Sequence, residues 1–460
     1  MPNTDLDILI LAAGLGTRMK SNLAKVLHQL DGRPLINHVC ETASELSPRS
    51  IYTVVGHQAD DVKAAVLKDL DEAKAGFALQ KQQLGTGDAV SAAREFLENE
   101  DSTLLVLSGD VPMIRAETLA SLVKIHAENG AACTILSVNL KDPSGYGRVI
   151  RNSDNNFQQI VEQKDTTEEQ RDVTEINSGI YCFDTKKLFA ALSRVGKNNA
   201  QGEYYLTDVP QILAGDGETI AIHVCEDPRE VEGVNDRRQL AAMEKVIRRR
   251  TIKKLMLESG VSFIDPKSAY VSARASIGRD TVISQNVTIE GKTIIGEKCT
   301  IRPGVRIVNS TIGNNVEIKD NSFITDSTVG DTCTVGPMAH LRGHAVMVEG
   351  SKVGNFVELK KTTLGKGSKA SHLTYLGDAT IGEKTNIGAG TITCNYDGKN
   401  KHATVIGDGV KIGSDTMLVA PVTVGDGAST GAGSVVTRDI EADTLVAGVP
   451  ARILKRPKGD

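Results

Sequence analysis

Tryptophan is absent from this sequence of 460 residues, and aromatic residues make up only 3% of it. This composition excludes a core built on aromatic side chains and is expected where Ile and Val fill repeated coils. The seven cysteines are scattered and form no CxxC pair, so the sequence favours neither a disulfide framework nor a zinc site. Such cysteine usage predicts a reducing, cytoplasmic environment.

Long apolar runs and a strong excess of one charge are missing as well. The apolar run at 8–13 is too short for a signal peptide or a membrane span, and no basic region precedes it. The net charge of −5 gives no general attraction to nucleic acid or membranes. We therefore expect no nucleic-acid partner and no membrane insertion, and ligands must be inferred from local motifs.

The most regular feature of the chain is an aliphatic residue at every sixth position in its second half. The first run consists of Val271, Ile277, Ile283, Ile289, Ile295, Ile301 and Ile307, and single-residue slips restart the period at Ile312 and Val329. Neither an α-helix nor an isolated strand needs a period of six, so the run predicts a left-handed parallel β-helix of hexapeptide repeats. The alternative, a β-sandwich, would give spacings of roughly 8 to 12 residues.

Three segments follow from these patterns. Residues 1–235 alternate between strand-like and helix-like stretches, which predicts an α/β, Rossmann-like domain with ligands at the carboxyl ends of its strands. Residues 236–260 form a linker, in which apolar residues at helical spacing predict a helix over 237–258 that stops before Gly260. Residues 261–460 form the β-helix domain.

A glycine-rich turn at 14–19 follows the first apolar strand, at 6–13. The backbone N–H groups of such a turn can hold phosphate oxygens, although a bare turn of this kind is also a common structural element. Arg18 and Lys25 favour the phosphate interpretation, because two cations near the turn suit a triphosphate and its departing pyrophosphate.

Two further strand ends carry polar residues. The segment 80–87 offers amide side chains beside a glycine turn, which suits the edge of a pyrimidine base. Asp110 follows an apolar strand and predicts a Mg²⁺ ligand, although an Asp that caps a turn is the simpler interpretation of this residue alone.

Taken together, the motifs resemble a known family. They are Leu-Ala-Ala-Gly-x-Gly-Thr-Arg-Met at 11–19, Lys25, Gln-x-x-Gln-Leu-Gly-Thr-Gly at 80–87, Gly-Asp-Val-Pro at 109–112, Gly-Tyr-Gly-Arg at 145–148, Val-Glu-Gln-Lys-Asp at 161–165, Asn-Ser-Gly at 177–179 and Glu-Gly-Val-Asn at 232–235. Followed by hexapeptide repeats, they closely resemble the bacterial bifunctional N-acetylglucosamine-1-phosphate uridylyltransferase / glucosamine-1-phosphate N-acetyltransferase family. The resemblance covers almost the whole chain.

For the first half, the resemblance implies transfer of a uridylyl group from UTP to N-acetylglucosamine 1-phosphate. Asp110 and Asn235 would hold Mg²⁺, while Arg18 and Lys25 would stabilise the leaving pyrophosphate. Gly147, Glu162 and Asn177 would line the sugar pocket. The remaining nucleotide-binding positions implied by the match are Leu11, Ala12, Ala13, Gly14, Gln80, Gln83, Gly85, Thr86, Ser108 and Gly109.

For the second half, the departures from the six-residue period at 353–361, 372–378 and 386–401 match the acetyltransferase part of the same family. The match assigns His372 as the base and Glu358 as the residue that orients it. The positions implied for glucosamine 1-phosphate are Arg342, Lys360, Tyr375, Asn386, Asn395, Tyr396 and Lys401. Those implied for acetyl-CoA are Ala389, Asn395, Tyr396, Ser414, Ala432 and, as a candidate substitute, Arg452. Members of the family form trimers and build this site from more than one chain, so a homotrimer is implied.

Three positions depart from the family pattern. Ala24 precedes Lys25 where relatives often have Pro, and His340 to His344 surround Arg342 where relatives usually have Arg-Leu-Arg-Pro. The ending at 447–452 resembles other hexapeptide acyltransferases, which puts the acetyl-CoA site in question.

Two other functions compete with the bifunctional enzyme. A sugar-phosphate nucleotidyltransferase with a purely regulatory β-helix would not need the set His372, Lys360 and Tyr375. A non-catalytic assembly protein, such as a subunit of a translation exchange factor, would not need the phosphate and metal residues of the first half.

Overall fold

The structure is a computed structural model that describes residues 3–455. The chain divides into two compact units, Met1–Met243 and Glu244–Asp460. Within the described residues, no helix is both long and apolar enough to cross a membrane.

The first unit is built on a mixed sheet. Its strands are β1 (Asn3–Leu11), β2 (Gln29–Leu30), β3 (Arg33–Pro34), β4 (Pro48–Val55), β5 (Ala75–Leu79), β6 (Thr103–Ser108), β7 (Cys133–Asn139), β8 (Arg148–Arg151), β9 (Phe157–Val161), β10 (Glu175–Asp184) and β11 (Ile220–Cys225). Its helices are α1 (Leu35–Glu45), α2 (Ala59–Val66), α3 (Thr86–Ser91), α4 (Arg94–Leu97), α5 (Ala116–Glu128), α6 (Glu168–Arg171), α7 (Thr185–Leu192) and α8 (Val209–Gly215), with short 3-10 turns at Thr17–Met19, Lys25–Leu27, Leu206–Asp208 and Pro228–Glu230.

The strand order of this sheet is β11-β7-β10-β6-β1-β4-β5, and the β8–β9 hairpin joins it through β10. Strands β1, β4, β5 and β6 are parallel, whereas β10 is antiparallel to both β6 and β7. Side chains alternate across β1, so that Ile8 and Ile10 pack into one core while Leu9 packs into the other. Both faces are covered, as a parallel sheet requires, and the α/β prediction is confirmed.

The predicted connecting helix is α9 (Arg237–Glu258), with the same bounds as the prediction. Met243, Ile247 and Leu255 lie buried at helical spacing. The helix ends before Gly260, whose positive φ of 69° suits the left-handed conformation that commonly follows a helix.

The second unit is the predicted left-handed β-helix. Its strands are β12 (Ser262–Phe263), β13 (Tyr270–Val271), β14 (Ser276–Ile277), β15 (Val282–Ile283), β16 (Thr288–Glu290), β17 (Ile294–Ile295), β18 (Thr300–Ile301), β19 (Arg306–Val308), β20 (Thr311–Ile312), β21 (Glu317–Ile318), β22 (Phe323–Thr325), β23 (Thr328–Val329), β24 (Thr334–Val335), β25 (His340–Arg342), β26 (Val346–Met347), β27 (Lys352–Lys360), β28 (Thr363–Leu364), β29 (Lys369–Gly377), β30 (Ala379–Ile381), β31 (Asn386–Ile387), β32 (Ile392–Cys394), β33 (Thr404–Ile406), β34 (Lys411–Ile412), β35 (Met417–Val419), β36 (Val422–Val424), β37 (Ser429–Thr430), β38 (Val435–Val436), β39 (Leu445–Ala447) and β40 (Arg452–Lys455).

Parallel pairing between successive coils explains the period of the sequence. Val282 pairs with Thr300, so that one full coil consists of three six-residue turns. Thr311 pairs with Thr328, which is one position closer, so the slips in the sequence correspond to slightly shorter coils. The recurring aliphatic residues point inward and form one continuous core, and each buried Ile contributes about 1.5–3 kcal/mol. The β-sandwich alternative is therefore wrong.

Two features interrupt the regular coils. Strands β27 and β29 are nine residues long and pair along nearly their whole length. The next coil is longer than the regular ones, because Ala379 pairs with Thr404 and not with a position three turns ahead. The extra residues form the predicted loop at 395–402, so the irregular stretch of the sequence corresponds to a local insertion.

Candidate functional site

The glycine-rich turn of the first unit packs directly on Lys25. Gly16 has a φ of +62°, and a Cβ at this position would lie 2.5 Å from the Cβ of Lys25. Only glycine fits both the conformation and the space. Gly14 is exposed, and a Cβ built on it meets nothing within 4 Å, so the turn leaves room for a ligand there.

Four of the predicted residues of the first half meet at the end of β6. The Lys25 ammonium forms an ion pair with Asp110 Oδ2, and its Nζ lies 3.3 Å from Asn235 Oδ1. Arg18 Nη2 donates to the same Asn235 oxygen at 2.8 Å. The backbone N–H of Val234 donates to the Asp110 carbonyl at 2.9 Å, which holds the Asn235 segment beside β6.

The Asp110 and Asn235 side chains offer oxygens, the type of ligand that a hard divalent cation takes. Both oxygens contact one cation of the chain, the Lys25 ammonium. Among the described residues no group of three or more His, Cys, Asp or Glu side chains forms a metal cage. Mg²⁺ is commonly bound by one or two protein oxygens, with phosphate and water oxygens as its other ligands.

The predicted nucleotide loop lies beside the turn. Gln83 Nε2 is 3.4 Å from the Ala13 carbonyl, and a Cβ on Gly85 would lie 2.4 Å from the Tyr204 carbonyl. Gln80 donates both amide hydrogens within the protein, to Gly85 O at 3.2 Å and to Asp88 Oδ2 at 2.8 Å. Both Gln80 donors are thus used within the protein, and Gln80 offers a ligand only its oxygen.

Leu11, Ala12, Ala13, Ser108 and Gly109 lie at the carboxyl ends of two adjacent strands. Gly109 N–H donates to the Leu11 carbonyl at 2.9 Å, and a Cβ on Gly109 would lie 2.9 Å from a side-chain carbon of Ile36. This close packing lies next to the glycine-rich turn at 14–19.

The predicted sugar residues also lie together. Asn177 N–H donates to the Gly147 carbonyl at 2.9 Å, and a Cβ on Gly147 would lie 3.5 Å from Glu162 Oε2. Burial raises the pKa of the Glu162 carboxyl, and the hydrogen bond from Thr207, at 3.2 Å, opposes this shift only in part. Asn177 is held by the Tyr181 hydroxyl, which lies 2.7 Å from its Nδ2.

Several residues that were not predicted from the sequence also shape this site. Tyr146 lies near Asp110 and Glu232, and its pKa is raised mainly by burial and further by these carboxylates. The segment after Glu203 packs against the predicted nucleotide loop. The Tyr204 backbone carbonyl accepts from Gly87 N–H at 2.8 Å, and Leu206 N–H donates to Thr86 Oγ1 at 3.0 Å. Tyr146 belonged to a quoted motif, but no period or spacing pointed to residues 204–207.

In the β-helix, the predicted base and the predicted acetyl-CoA positions form one column. His372 pairs with Asn355 on the preceding coil. Ala389, Ser414 and Ala432 follow at the corresponding position of later coils, as shown by hydrogen bonds from Gly390 N to Leu373 O, Asp415 N to Ala389 O, and Gly433 N to Ser414 O. We call this set the His372 column: Asn355, His372, Ala389, Ser414 and Ala432.

His372 is exposed, and its Nδ1 lies 2.7 Å from Asn355 Oδ1. Because this amide oxygen can only accept, the neutral form of the ring that suits this contact carries its proton on Nδ1 and has its lone pair on Nε2. Within one chain, Glu358 does not contact His372. Glu358 pairs with Arg342 instead, at 2.6 Å, because its position in β27 lies beside Tyr375 and not beside His372.

The predicted sugar-phosphate residues form a second group. Arg342 pairs in register with Lys360. Lys360 Nζ lies 2.9 Å from Asp378 Oδ2, and Asn395 Nδ2 lies 2.6 Å from the same oxygen. Tyr375 Oη is 3.4 Å from Asn395 Nδ2. We call this set the Lys360 group: Arg342, Glu358, Lys360, Tyr375, Asp378 and Asn395.

The inserted loop presents Tyr396 and Lys401. These two residues form an isolated β-bridge, and the Lys401 ammonium lies 4.7 Å from the centre of the Tyr396 ring. The pKa of Asp397 is held far below its ordinary value, first by the Asn400 backbone N–H and then by His402, whose Nε2 is 2.7 Å away. Hydrogen bonds to Asp397 therefore hold the loop together.

Asn386 and Arg452 lie apart from the Lys360 group. Asn386 pairs with Lys369 at the start of β29, on the same side of the Leu373 corner as His372. Arg452 pairs with Ala447, and a Cβ on Gly431, next to Ala432, would meet the Ala447 side chain at 2.7 Å. Arg452 thus lies near the end of the His372 column.

The structure accounts for two of the departures from the family pattern. The His340 ring stacks on Phe323 at 5.2 Å between centroids, and Arg342 still pairs with Glu358. Ala24 has φ −54° and ψ 140°, and its N–H donates to Gln58 Oε1 at 2.6 Å, a bond that a proline could not make.

Within one chain, the four residues predicted to bind phosphate and metal in the first unit come together, as do the three predicted sugar residues. Among the described residues, no side-chain hydrogen bond or ion pair joins the His372 column to the Lys360 group, and the backbone of β29 turns at Leu373, whose φ is 45°, between them.

Comparison with known proteins identifies the family. A model described as nucleotidyl transferase matches residues 8–227, one described as GMPPB C-terminal domain matches 259–356, and one described as bacterial transferase hexapeptide (six repeats) matches 403–438. The GMPPB match lies on coils that precede His372.

Several curated relatives match almost end to end. The bifunctional protein GlmU of Syntrophomonas wolfei is 48% identical over 440 residues, which cover 96% of each chain. Those of Heliobacterium modesticaldum and Geobacillus sp. are each 49% identical over 437 residues, which cover 95% of this chain and 94% of each relative. The predicted family is confirmed: the chain belongs to the GlmU family of bifunctional proteins, with a nucleotidyltransferase half and a hexapeptide-repeat acyltransferase half.

Proposed function

We propose that this enzyme makes UDP-N-acetylglucosamine in two steps. The second half transfers the acetyl group of acetyl-CoA to glucosamine 1-phosphate, and the first half couples the product to UTP. The observation that carries the first activity is the meeting of Arg18, Lys25, Asp110 and Asn235 at one strand end. We assign uridylyl transfer to residues 1–235, the connection to 236–260 and acetyl transfer to 261–460.

In the uridylyl transfer, an oxygen of the sugar phosphate forms a bond to the α-phosphorus of UTP while the bond to pyrophosphate breaks. The attacking oxygen is already anionic, so positioning and charge neutralisation are needed more than a base. Arg18 and Lys25 supply positive charge beside the turn at 14–19, where the phosphates bind. Glu162 and Asn177 accept and donate hydrogen bonds to the sugar.

Asp110 and Asn235 are the residues that would hold Mg²⁺. When bound, Mg²⁺ supplies further positive charge against the phosphate oxygens. The chain contributes the two oxygens and the adjacent Lys25 cation.

In the acetyl transfer, the amine of glucosamine 1-phosphate forms a bond to the thioester carbon while the carbon–sulfur bond breaks and coenzyme A leaves. His372 Nε2 takes the proton from the amine, because Nδ1 is occupied by Asn355. Arg342, Lys360 and Lys401 provide cations for the sugar phosphate. Ala389, Ser414 and Ala432 provide small side chains along the path of acetyl-CoA.

We infer a homotrimer that completes this second site. The separation of the His372 column from the Lys360 group within one chain supports this proposal, since a neighbouring copy can bring the two sets together. The proposed setting is the cytoplasm, where the product serves cell-envelope synthesis.

One assay tests both activities. The purified protein is given glucosamine 1-phosphate, acetyl-CoA, UTP and Mg²⁺, and free thiol and pyrophosphate are measured separately. We expect release of both, with pyrophosphate dependent on prior acetylation. Pyrophosphate that appears only when N-acetylglucosamine 1-phosphate is supplied would reduce the β-helix to a scaffold, and the ending at 447–452 would be tested next.

A further inference from the structure

Asp378 joins two residues that the proposed acetyl transfer assigns to the sugar phosphate. Its carboxylate oxygen Oδ2 accepts from Lys360 Nζ at 2.9 Å and from Asn395 Nδ2 at 2.6 Å. The Asp378 side chain is only 18% exposed and that of Lys360 only 15%. Both bonds are therefore largely shielded from water, where a charge-assisted hydrogen bond is strongest.

The carboxylate also decides which way the Asn395 amide faces. An ionised carboxylate can only accept hydrogen bonds, so the NH₂ group of Asn395 must face Asp378. The Tyr375 hydroxyl lies 3.4 Å from the same nitrogen. Asn395 therefore keeps its Oδ1 for a ligand, and this oxygen recognises a hydrogen-bond donor such as an amine or a hydroxyl.

The backbone is adapted to this arrangement. A Cβ on Gly377 would lie 2.3 Å from Tyr375 Oη and 2.6 Å from Asn395 Nδ2, so the absence of a side chain there lets the two groups approach. Asp378 has a φ of +50°, a left-handed conformation that Asp tolerates better than most residues. Its N–H donates to Lys360 O at 2.9 Å and its carbonyl accepts from Thr404 N at 3.1 Å, which ties three coils together.

We propose that Asp378 is a positioning and specificity residue for the acetyl acceptor: it fixes the Lys360 ammonium and turns the Asn395 amide so that its oxygen faces the sugar. Asp378 does not itself contact the substrate. The proposal rests on the acetyl transfer proposed above, and it adds the residue that orders the acceptor site.

Two substitutions distinguish the contribution of the Asp378 acceptor oxygen from that of its negative charge. Asp378→Gly removes the side chain and keeps the left-handed conformation, while Asp378→Asn removes the same charge but keeps an acceptor oxygen. The matched control is Asp280→Gly, an exposed aspartate with φ 59° at a corner of the regular coils. Acetyl transfer is measured on the full-length protein with both substrates varied, and uridylyl transfer is measured on the same preparations.

For Asp378→Gly we expect the KM for glucosamine 1-phosphate to rise about tenfold or more, because the ordered acceptor pair is lost, while the KM for acetyl-CoA changes less than about threefold. Asp378→Asn should stay within about threefold of the wild type for both substrates. Asp280→Gly should match the wild type, and uridylyl transfer should be unchanged in all variants.

A second pair of variants does not depend on the folding of Asp378→Gly. Asn395→Asp places a second carboxylate beside Asp378 and should weaken glucosamine 1-phosphate binding about tenfold. Adding Asp378→Asn should recover at least about threefold of this binding, because the amide and the carboxylate then exchange positions. The proposal is overturned if Asp378→Gly behaves as the wild type, if both KM values rise equally, or if the double variant recovers nothing. A wild type that releases no thiol from acetyl-CoA would instead overturn the proposed function itself.

Discussion

In the first unit, Arg18, Lys25, Asp110 and Asn235 contact one another within a single chain, although more than two hundred residues separate the first from the last. In the second unit, His372 and Lys360 are close in the sequence, yet a corner of the coil lies between the His372 column and the Lys360 group. Sequence proximity is thus a poor guide to which residues share a site here.

The difference follows from the two architectures. A parallel sheet brings the carboxyl ends of its strands to one edge, so loops from distant parts of the chain converge there. A β-helix stacks equivalent positions in columns along its axis and keeps its different corners apart. A column can present a long, regular surface, and the proposed homotrimer would place a second column against it.

The largest expected effect tests the independence of the two sites. His372→Ala should reduce acetyl transfer by about 10²–10⁴-fold, because it removes the proposed base. Uridylyl transfer from ready-made N-acetylglucosamine 1-phosphate should be retained, since His372 lies in the other unit. Equal loss of both activities in a folded protein would contradict the assignment of the two activities to independent sites.

The reciprocal change is Asp110→Ala, which removes one of the two oxygens that face the Lys25 cation. We expect uridylyl transfer to fall by about 10²–10³-fold, the range for loss of one electrostatic stabiliser. Thiol release from acetyl-CoA on the same preparation serves as the control and should be unaffected. A proportional fall in thiol release would show that the substitution acts on the fold.

Mixing two inactive variants tests whether the second site is shared between chains. His372→Ala and Lys360→Ala damage different sets of residues, so subunits exchanged between them should form some sites with both residues intact. Random trimers from an equal mixture should regain roughly one quarter of wild-type acetyl transfer. Absence of any recovery after verified subunit exchange would place the complete site within one chain. The corresponding mixture of Arg18→Ala and Asp110→Ala should recover no uridylyl transfer.

A smaller effect concerns the pH dependence of the sugar pocket. Burial raises the pKa of Glu162, so the carboxylate becomes protonated at a higher pH than an ordinary glutamate. Binding of N-acetylglucosamine 1-phosphate should therefore weaken as the pH falls through this raised value, and the KM should rise. Glu162→Gln should bind more weakly at neutral pH and lose this part of the profile. An unchanged profile in the variant would assign the pH dependence to another group.

The smallest effect concerns the departure at Ala24. Ala24→Pro keeps a suitable φ and reduces the freedom of the unfolded chain, which stabilises by about 0.4–1 kcal/mol, but it removes the hydrogen bond to Gln58, worth about 0.5–1.5 kcal/mol. We expect a change of less than about 1 kcal/mol in the free energy of unfolding. In a Gln58→Ala background, the same substitution should be more stabilising, and denaturant unfolding of the four proteins measures the difference.

Much of the fold could be predicted from the sequence, because each element carries its own periodicity. The six-residue spacing specified the coils, and the single-residue slips reappear as coils that are slightly shorter than the others. The bounds of α9 were also predicted, since its buried residues repeat at helical spacing and Gly260 follows. The hydrogen-bond partners of Gln80 and Glu358 within the chain could not be predicted, because each depends on a neighbour, Asp88 or Arg342, that no local pattern reveals.

The sequence by itself therefore determined the family, the two architectures and the set of reactive residue types, because motifs and periods are local properties of the chain. Only the tertiary structure decided which of these residues meet. Within one chain it placed Asn355 and not Glu358 beside His372, joined Lys360 to Asn395 through Asp378, and set a turn of the backbone between the two groups of residues predicted for acetyl transfer. The physical reason is that such contacts depend on the register between neighbouring strands and coils. A slip of one residue changes this register, and only the packed structure fixes it.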